Sequence, residues 1–261
     1  MTATGWIGLA GLAVLGGAAA LGPVLDPASP VAIHLGQALL PPGPAHPLGT
    51  DQLGRDQLAR LLWGARPTLE VGAMAALIAL ALGTTLGAVA GWSGGLVDAV
   101  LMRTTDAALA VPGLVLLLAI SALVHLGVPA LALSVGALSW MPAARLVRSG
   151  TQALAQAPWV AAARDLGLSG PVVWFRHVLP HLGATLAAAL PLAFADAVSA
   201  VAALSFLGLG LPPPAPNWGS MLADALPAIT QGAWWLLWPP GIAITTAVMS
   251  AVWLADAAGG A

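Results

Sequence analysis

The side chains able to do chemistry in this chain are few and concentrated. "VAAARDLGLSGPVVWFRHVLPHL", residues 160–182, holds Arg164, Asp165, Arg176, His177 and His181 among Gly167, Gly170 and Pro171. His177 and His181 stand four apart, the spacing of two zinc ligands on one helix face. No Glu follows His177 and Pro180 interrupts that helix, so no metal site is expected. His125, alone in an apolar turn, reads as structural. Asp196 lies within a long apolar run, where a carboxylate at mid-bilayer costs about 2.5–3.5 kcal/mol on insertion scales. It must face protein, line a water-filled path with Ser199 beside it, or be protonated. A buried hydrogen bond between helices is the plainer reading. Cysteine is absent, which excludes a disulfide, a thiolate metal site and a cysteine nucleophile. Lysine is absent too, and a P-loop needs its Lys on the nucleotide phosphates. There is no G-x-S-x-G, no H-E-x-x-H and no pair of acids within one apolar run, so no catalytic residue is expected.

The elements that must position these residues are membrane helices. The chain is 59% hydrophobic and 7% charged, with mean hydropathy +0.92. Soluble domains carry about a quarter charged residues. An all-α membrane protein is close to forced. The net charge of -2 and the lack of a long basic run leave no case for nucleic acid.

Residues 5–25 are uncharged and long enough to cross a bilayer. "MTATGW" lacks a signal peptide's cation, so 1–25 reads as an uncleaved first span. Residues 26–68 read as an extracytoplasmic Pro-rich loop and a short interfacial helix, "GRDQLARLLWGAR", with an Asp56–Arg60 pair at i,i+4. A five-helix core follows over 69–256. Its first helix lies between Glu70 and Asp98, and a loop with Asp98, Arg103 and Asp106 comes next. The uncharged stretch from Asp106 to Arg145 is too long for one helix and divides at "HLGVP", 125–129. Further spans fall at 182–208 and 236–255, and 257–261 is a short tail. Loops after spans two and four hold five Arg against three after spans one and five. The positive-inside rule then places residues 150–181 and both termini in the cytoplasm. Trp234, Trp235 and Trp238 suit an aromatic belt at the outer end of the sixth span.

Residues 160–182 read as helix, turn, helix. Trp159, Val160, Ala163 and Leu166 share a face. Gly167 and Gly170 permit a tight turn, Ser169 suits a cap, and Pro171 suits the first turn of a second helix that Pro180 stops. The result is an elbow offering Ala, Gly and one Arg–Asp step to another surface. A solvated loop whose Arg residues only anchor topology is the bland alternative.

"AAARDLG" followed by "RHVLP" resembles the EAA loop of ABC-importer permeases. "HPLGTDQLGRDQLARLLWGAR" (46–66) resembles the segment before span two in the dipeptide/oligopeptide/nickel permease family. "SFLGLGLPPPAPNWGSMLADA" (205–225) resembles that family's last extracellular loop. Ala161 stands where the motif's Glu would be, and His181 replaces a common Asn. Ala162, Ala163, Gly167, His177, Leu179 and Pro180 match. Of the family's usual tail after span six, only Asp256 is kept.

The resemblance implies a type I ABC importer permease fold of six spans with a cytoplasmic coupling helix in the bacterial inner membrane. It implies a second permease subunit, identical or homologous, two separate ATPase subunits carrying ATP and Mg, and an extracytoplasmic solute-binding protein. Ala161, Ala162, Ala163, Arg164, Asp165, Leu166, Gly167, His177 and Pro180 are the expected ATPase-coupling residues. Asp196 and Ser199 are candidates for the translocation path. Asn217, Trp218 and Gly219 are candidates for contact with the binding protein. Peptides, nickel or metal chelates are the implied cargo. The rival readings are an intramembrane enzyme or a self-contained secondary transporter built on Asp196.

Overall fold

The apolar runs fold into helices, as backbone groups in hydrocarbon require. The computed structural model describes residues 2–25, 28–123 and 127–259. Helix α1 is Ala3–Leu25, and α2 is Gln57–Ser93. Next come α3 (Gly95–Leu109), α4 (Gly113–Leu123), α5 (Val128–Ala137) and α6 (Met141–Ala155). The elbow follows as α7 (Pro158–Asp165), α8 (Gly170–Val173), a π-helical turn at Trp174–Val178, and α9 (Leu179–His181). The chain ends with α10 (Gly183–Phe206), α11 (Trp218–Ile229) and α12 (Trp238–Gly259). No strand occurs among the described residues.

Among the described residues, four helical stretches are long and apolar enough to cross a membrane, in α1, α2, α10 and Trp234–Gly259. Two bent pairs bring the number to six: α3 with α4, bent by 71°, and α5 with α6, bent by 50°. The six-span expectation therefore holds if each pair counts as one broken span. The turn expected at 125–129 falls partly on 124–126, and with it His125, outside the described residues.

Three expectations need correction. The interfacial helix and the second span are one 37-residue helix, so the division at 68/69 falls inside α2. Pro67 does not end it, in line with the tolerance of proline in membrane-spanning helices. The expected loop at 98–106 is helix α3, its acids neutralised from α6: Asp98 pairs with Arg148 and Asp106 with Arg145, while Gln152 Nε2 donates to Asp98 Oδ2 at 3.1 Å. Asp56 and Arg60 do not pair. Asp56 caps α2 by accepting from the Ala59 N–H at 2.9 Å and also meets His46 Nδ1 at 2.6 Å.

Small residues set the closest helix contact. Gly83, Gly87 and Gly91 recur every fourth position of α2 and lie against α6. A Cβ on Gly87 would stand 2.3 Å from the Ala144 carbonyl oxygen. Absent side chains let two backbones approach where lipid supplies no hydrophobic drive. Elsewhere Val71, Leu131, Val135, Val201 and Leu204 form one apolar cluster joining α2, α5 and α10.

Candidate functional site

Polar structure gathers at the two ends of α2. At its start, Asp51 is almost fully buried and accepts from four donors. These are the backbone N–H of Leu53 (2.9 Å) and of Arg55 (3.0 Å), Arg55 Nε (2.6 Å) and Arg60 Nη1. Arg60 Nη2 also donates to Asp224 Oδ2 on α11 at 2.9 Å, and Arg55 Nη2 reaches the same oxygen at 3.2 Å. Two cations thus hold two carboxylates in a clamp between the Pro-rich loop, α2 and α11. Gln57 donates to the Leu236 carbonyl at 3.1 Å and Trp235 Nε1 to that of Thr50 at 3.3 Å. Trp235 is therefore partly buried within this cap, whereas Trp234 and Trp238 stay exposed as an aromatic belt would.

The expected binding-protein contacts lie inside the cap. Asn217 begins α11 with a capping box, accepting from the Ser220 N–H at 2.9 Å. Trp218 is 1% exposed and donates through Nε1 to the Leu61 carbonyl at 3.0 Å. A Cβ on Gly219 would come within 2.4 Å of the Ala202 carbonyl. These three residues lock α11 onto α2 and α10 and offer nothing to an outside surface. The exposed parts of that loop are Leu207, Gly208 and 212–215, "PPPA". Asp224, which sequence reasoning passed over, completes the clamp. Its signal was there in "SMLADA", but its cationic partners lie some 160 residues away.

At the other end of α2 sits the elbow. Val160 and Ala163 of α7 turn inward, joining Ala88, Val147, Val173, Val178 and Leu182 in a separate apolar cluster. Ala161, Ala162, Arg164, Asp165, Leu166 and Gly167 face outward. Gly167 has φ +82°, with its N–H bonded to the Arg164 carbonyl at 2.9 Å and that of Leu168 to the Ala163 carbonyl at 3.2 Å. This is a Schellman ending, in which the left-handed residue is normally Gly. The Arg164 guanidinium carbon stands 4.6 Å above the Trp92 ring at the end of α2.

Two details of the elbow differ from expectation. Ser169 precedes α8 but makes no side-chain cap bond. Pro180 does not stop the second helix. A π-helical turn precedes it, and α9 ends only at His181, with one residue between it and α10. His177 and His181 make no ligand pair: His181 Nδ1 meets the His177 carbonyl at 2.5 Å, and its ring stacks on Trp159 at 4.9 Å.

Between the ends runs the open face of α10. Leu192, Asp196, Ser199 and Phe206 are exposed along it, whereas Ala195, Ala197 and Val198 pack inward. No described side chain bonds to Asp196. Ser199 returns its hydroxyl to the Ala195 carbonyl at 2.8 Å. Ser205 is buried, and its hydroxyl has no partner among the described residues. The helix–helix hydrogen bond considered for Asp196 is not formed among the described residues.

The described residues form an all-helical, multi-span membrane subunit with polar structure gathered at its two ends. Residues 83–259 match the family described as the binding-protein-dependent transport system inner membrane component, and the chain belongs to that family. It is a multi-pass inner-membrane permease of the ABC-importer type. A Brucella suis protein named as a putative peptide transport system permease is 38% identical over 247 residues, covering 94% of this chain and 82% of the relative. The Bacillus subtilis dipeptide transport system permease protein DppC is 35% identical over 227 residues, 87% of this chain and 71% of that one. The glutathione transport system permease protein GsiD of Pectobacterium atrosepticum is 38% identical over 184 residues, 70% and 61% of the two chains.

Proposed function

We propose that this chain forms half of the pore of an ATP-driven peptide importer and takes its drive through the elbow at 161–170. The observation that carries this is the elbow's two-sidedness. Val160 and Ala163 are rooted in a cluster shared with α2 and α6, and the opposite side exposes Ala161, Ala162, Leu166 and Gly167 beside one Arg–Asp step. A rooted elbow can pass on a push, and small side chains let a partner's groove close around it. Two ATPase subunits, carrying ATP and Mg, are the partners for that surface, with a second permease subunit and an outer solute-binding protein completing the machine. The elbow and both termini then lie in the cytoplasm, as the Arg distribution requires.

Peptides are preferred over nickel or metal chelates as cargo because the relatives named above belong to peptide, dipeptide and glutathione systems. Asp196 and Ser199 lie on the open α10 face, which supports their place on the path between the two permease subunits. A carboxylate left open at mid-span must meet protein or water. The intramembrane-enzyme reading required a second acid or His meeting Asp196, and the described residues provide none.

The test is co-purification from native membranes with an Ala162→Arg variant in parallel. Ala162 is exposed on α7, so a long cation there leaves the bundle intact. Wild type is expected to bring down an ATPase chain and the variant to lose it. Wild type purifying alone, or the variant keeping its ATPase, overturns the reading.

A further inference from the structure

An apolar groove of about 710 Å³ opens between α2 and the 171–179 segment. Its walls include Leu77, Thr85 and Trp92 on one side and Trp174, Phe175 and Leu179 on the other. Leu77 and Phe175 are 58% and 67% exposed, so no described part of this chain covers it. We infer that this groove holds an acyl chain of an anionic phospholipid, with the lipid phosphate against Arg164.

Three observations select that occupant. The α2 wall runs over residues 77–93 of a membrane span, about 24 Å at the helical rise. One leaflet of hydrocarbon is about 15 Å deep, so the trough spans a leaflet and reaches the headgroup layer. Its lining is almost all carbon, and the Thr85 hydroxyl is already satisfied by the Ala81 carbonyl at 2.8 Å. An acyl chain asks for nothing more. The charge sits at the headgroup end. Arg164 lies over Trp92, which forms that end of the groove, and neither Arg164 nor Arg176 has an ion-pair partner among the described residues. Asp165 is the only acid between Asp106 and Asp196. A guanidinium lying on an aromatic face keeps its N–H edge free, and its planar fork matches phosphate. Basic pockets between spans at the membrane surface take anionic headgroups in the same way. The inference takes from the proposed function only the elbow's place at the membrane surface, and it assigns Arg164 to the lipid, leaving Ala161, Ala162, Asp165, Leu166 and Gly167 as the face for an ATPase.

The test uses the full chain with its native partners in nanodiscs doped with photoactivatable phosphatidylglycerol or phosphatidylcholine, the reactive group being in the acyl chain. Labelled sites are mapped by peptide mass spectrometry. Phosphatidylglycerol is expected to label 77–93 and 171–179 about fivefold more than phosphatidylcholine, the preference one Arg confers near a membrane surface. Arg164→Gln should remove the preference while leaving the label in place. Thr85→Trp, which fills the groove from an exposed position, should remove the label there and keep it on the exposed face of α1 near Val14. Equal labelling by both lipids reduces the groove to ordinary annular contact and overturns the inference. An unlabelled groove that cross-links to another protein chain also overturns it, by making the groove a subunit interface.

Discussion

Arg60 Nη2 donates to Asp224 Oδ2 at 2.9 Å, across 164 positions of sequence. With Asp51 on the other side of the same guanidinium, this contact joins two segments that resemble family motifs separately into one cap. The motif at 46–66 supplies the cations and one acid. The motif at 205–225 supplies the other acid, and its Trp218 donates to the Leu61 carbonyl.

The two acids of the clamp differ in exposure, which orders their mutants. Asp51 is buried, and its loss leaves Arg60, itself 3% exposed, with only the half-exposed Asp224 as a counter-charge. Breaking a buried pair from one side costs about 3–5 kcal/mol. Asp224 is half exposed and solvent can replace it, so about 1 kcal/mol is expected. Thermal unfolding in detergent should show Asp51→Ala lowering Tm well beyond Asp224→Ala. Equal shifts would mean that the clamp does not hold the cap.

Gly87 packs where no side chain fits. Gly87→Ala should separate α2 from α6 and reduce the yield of folded protein in membranes severalfold. Gly17 on α1 is the matched control: a Cβ there would meet nothing within 4 Å, and Gly17→Ala should be silent. Quantitative blotting of membrane fractions reads both.

Gly167 closes α7 in the left-handed region. An Ala there carries roughly 1–2 kcal/mol of strain, and Asn tolerates the conformation better. If the elbow couples to an ATPase as proposed, peptide-stimulated ATP hydrolysis by the assembled complex should fall in Gly167→Ala and be largely retained in Gly167→Asn. A loss in both to the same degree would assign the residue's role to its size instead of its backbone.

Asp196→Asn keeps shape and removes charge from the open face of α10. If that face lines the path, uptake should drop several-fold while membrane abundance and ATPase co-purification stay unchanged. Asp196→Leu should insert at least as well as wild type, since it removes a charge that insertion scales penalise by about 2.5–3.5 kcal/mol. Unaltered uptake in both variants would take Asp196 off the path.

The spans are legible where the sequence signal is local. Residues 5–25 and 182–208 correspond closely to α1 and α10, because an uncharged or nearly uncharged run of bilayer length has few other solutions. The stretch at 98–106 misleads because its charges find partners at Arg145 and Arg148, more than thirty positions on. Local polarity looks like a loop, and distant neutralisation makes it a helix. In the elbow, the turn at Gly167 can be read from glycine alone, but the π-helical stretch at Trp174–Val178 has no comparable signature. Asn217 and Trp218 look like surface residues because a Pro-rich loop leads into them. Their burial depends on a groove formed by α2 and α10, which no local pattern announces.

Helix α2 runs unbroken for 37 residues, about 55 Å, nearly twice the hydrocarbon thickness of a bilayer. One end is clamped to the cap through Arg60, and the other carries Trp92 beneath Arg164. Such a strut converts rotation into travel: a tilt of about 10° shifts one end by roughly 10 Å relative to the other. A small lean imposed at the elbow would therefore reappear, reversed in direction about a fulcrum midway along the strut, as sideways movement of the whole cap.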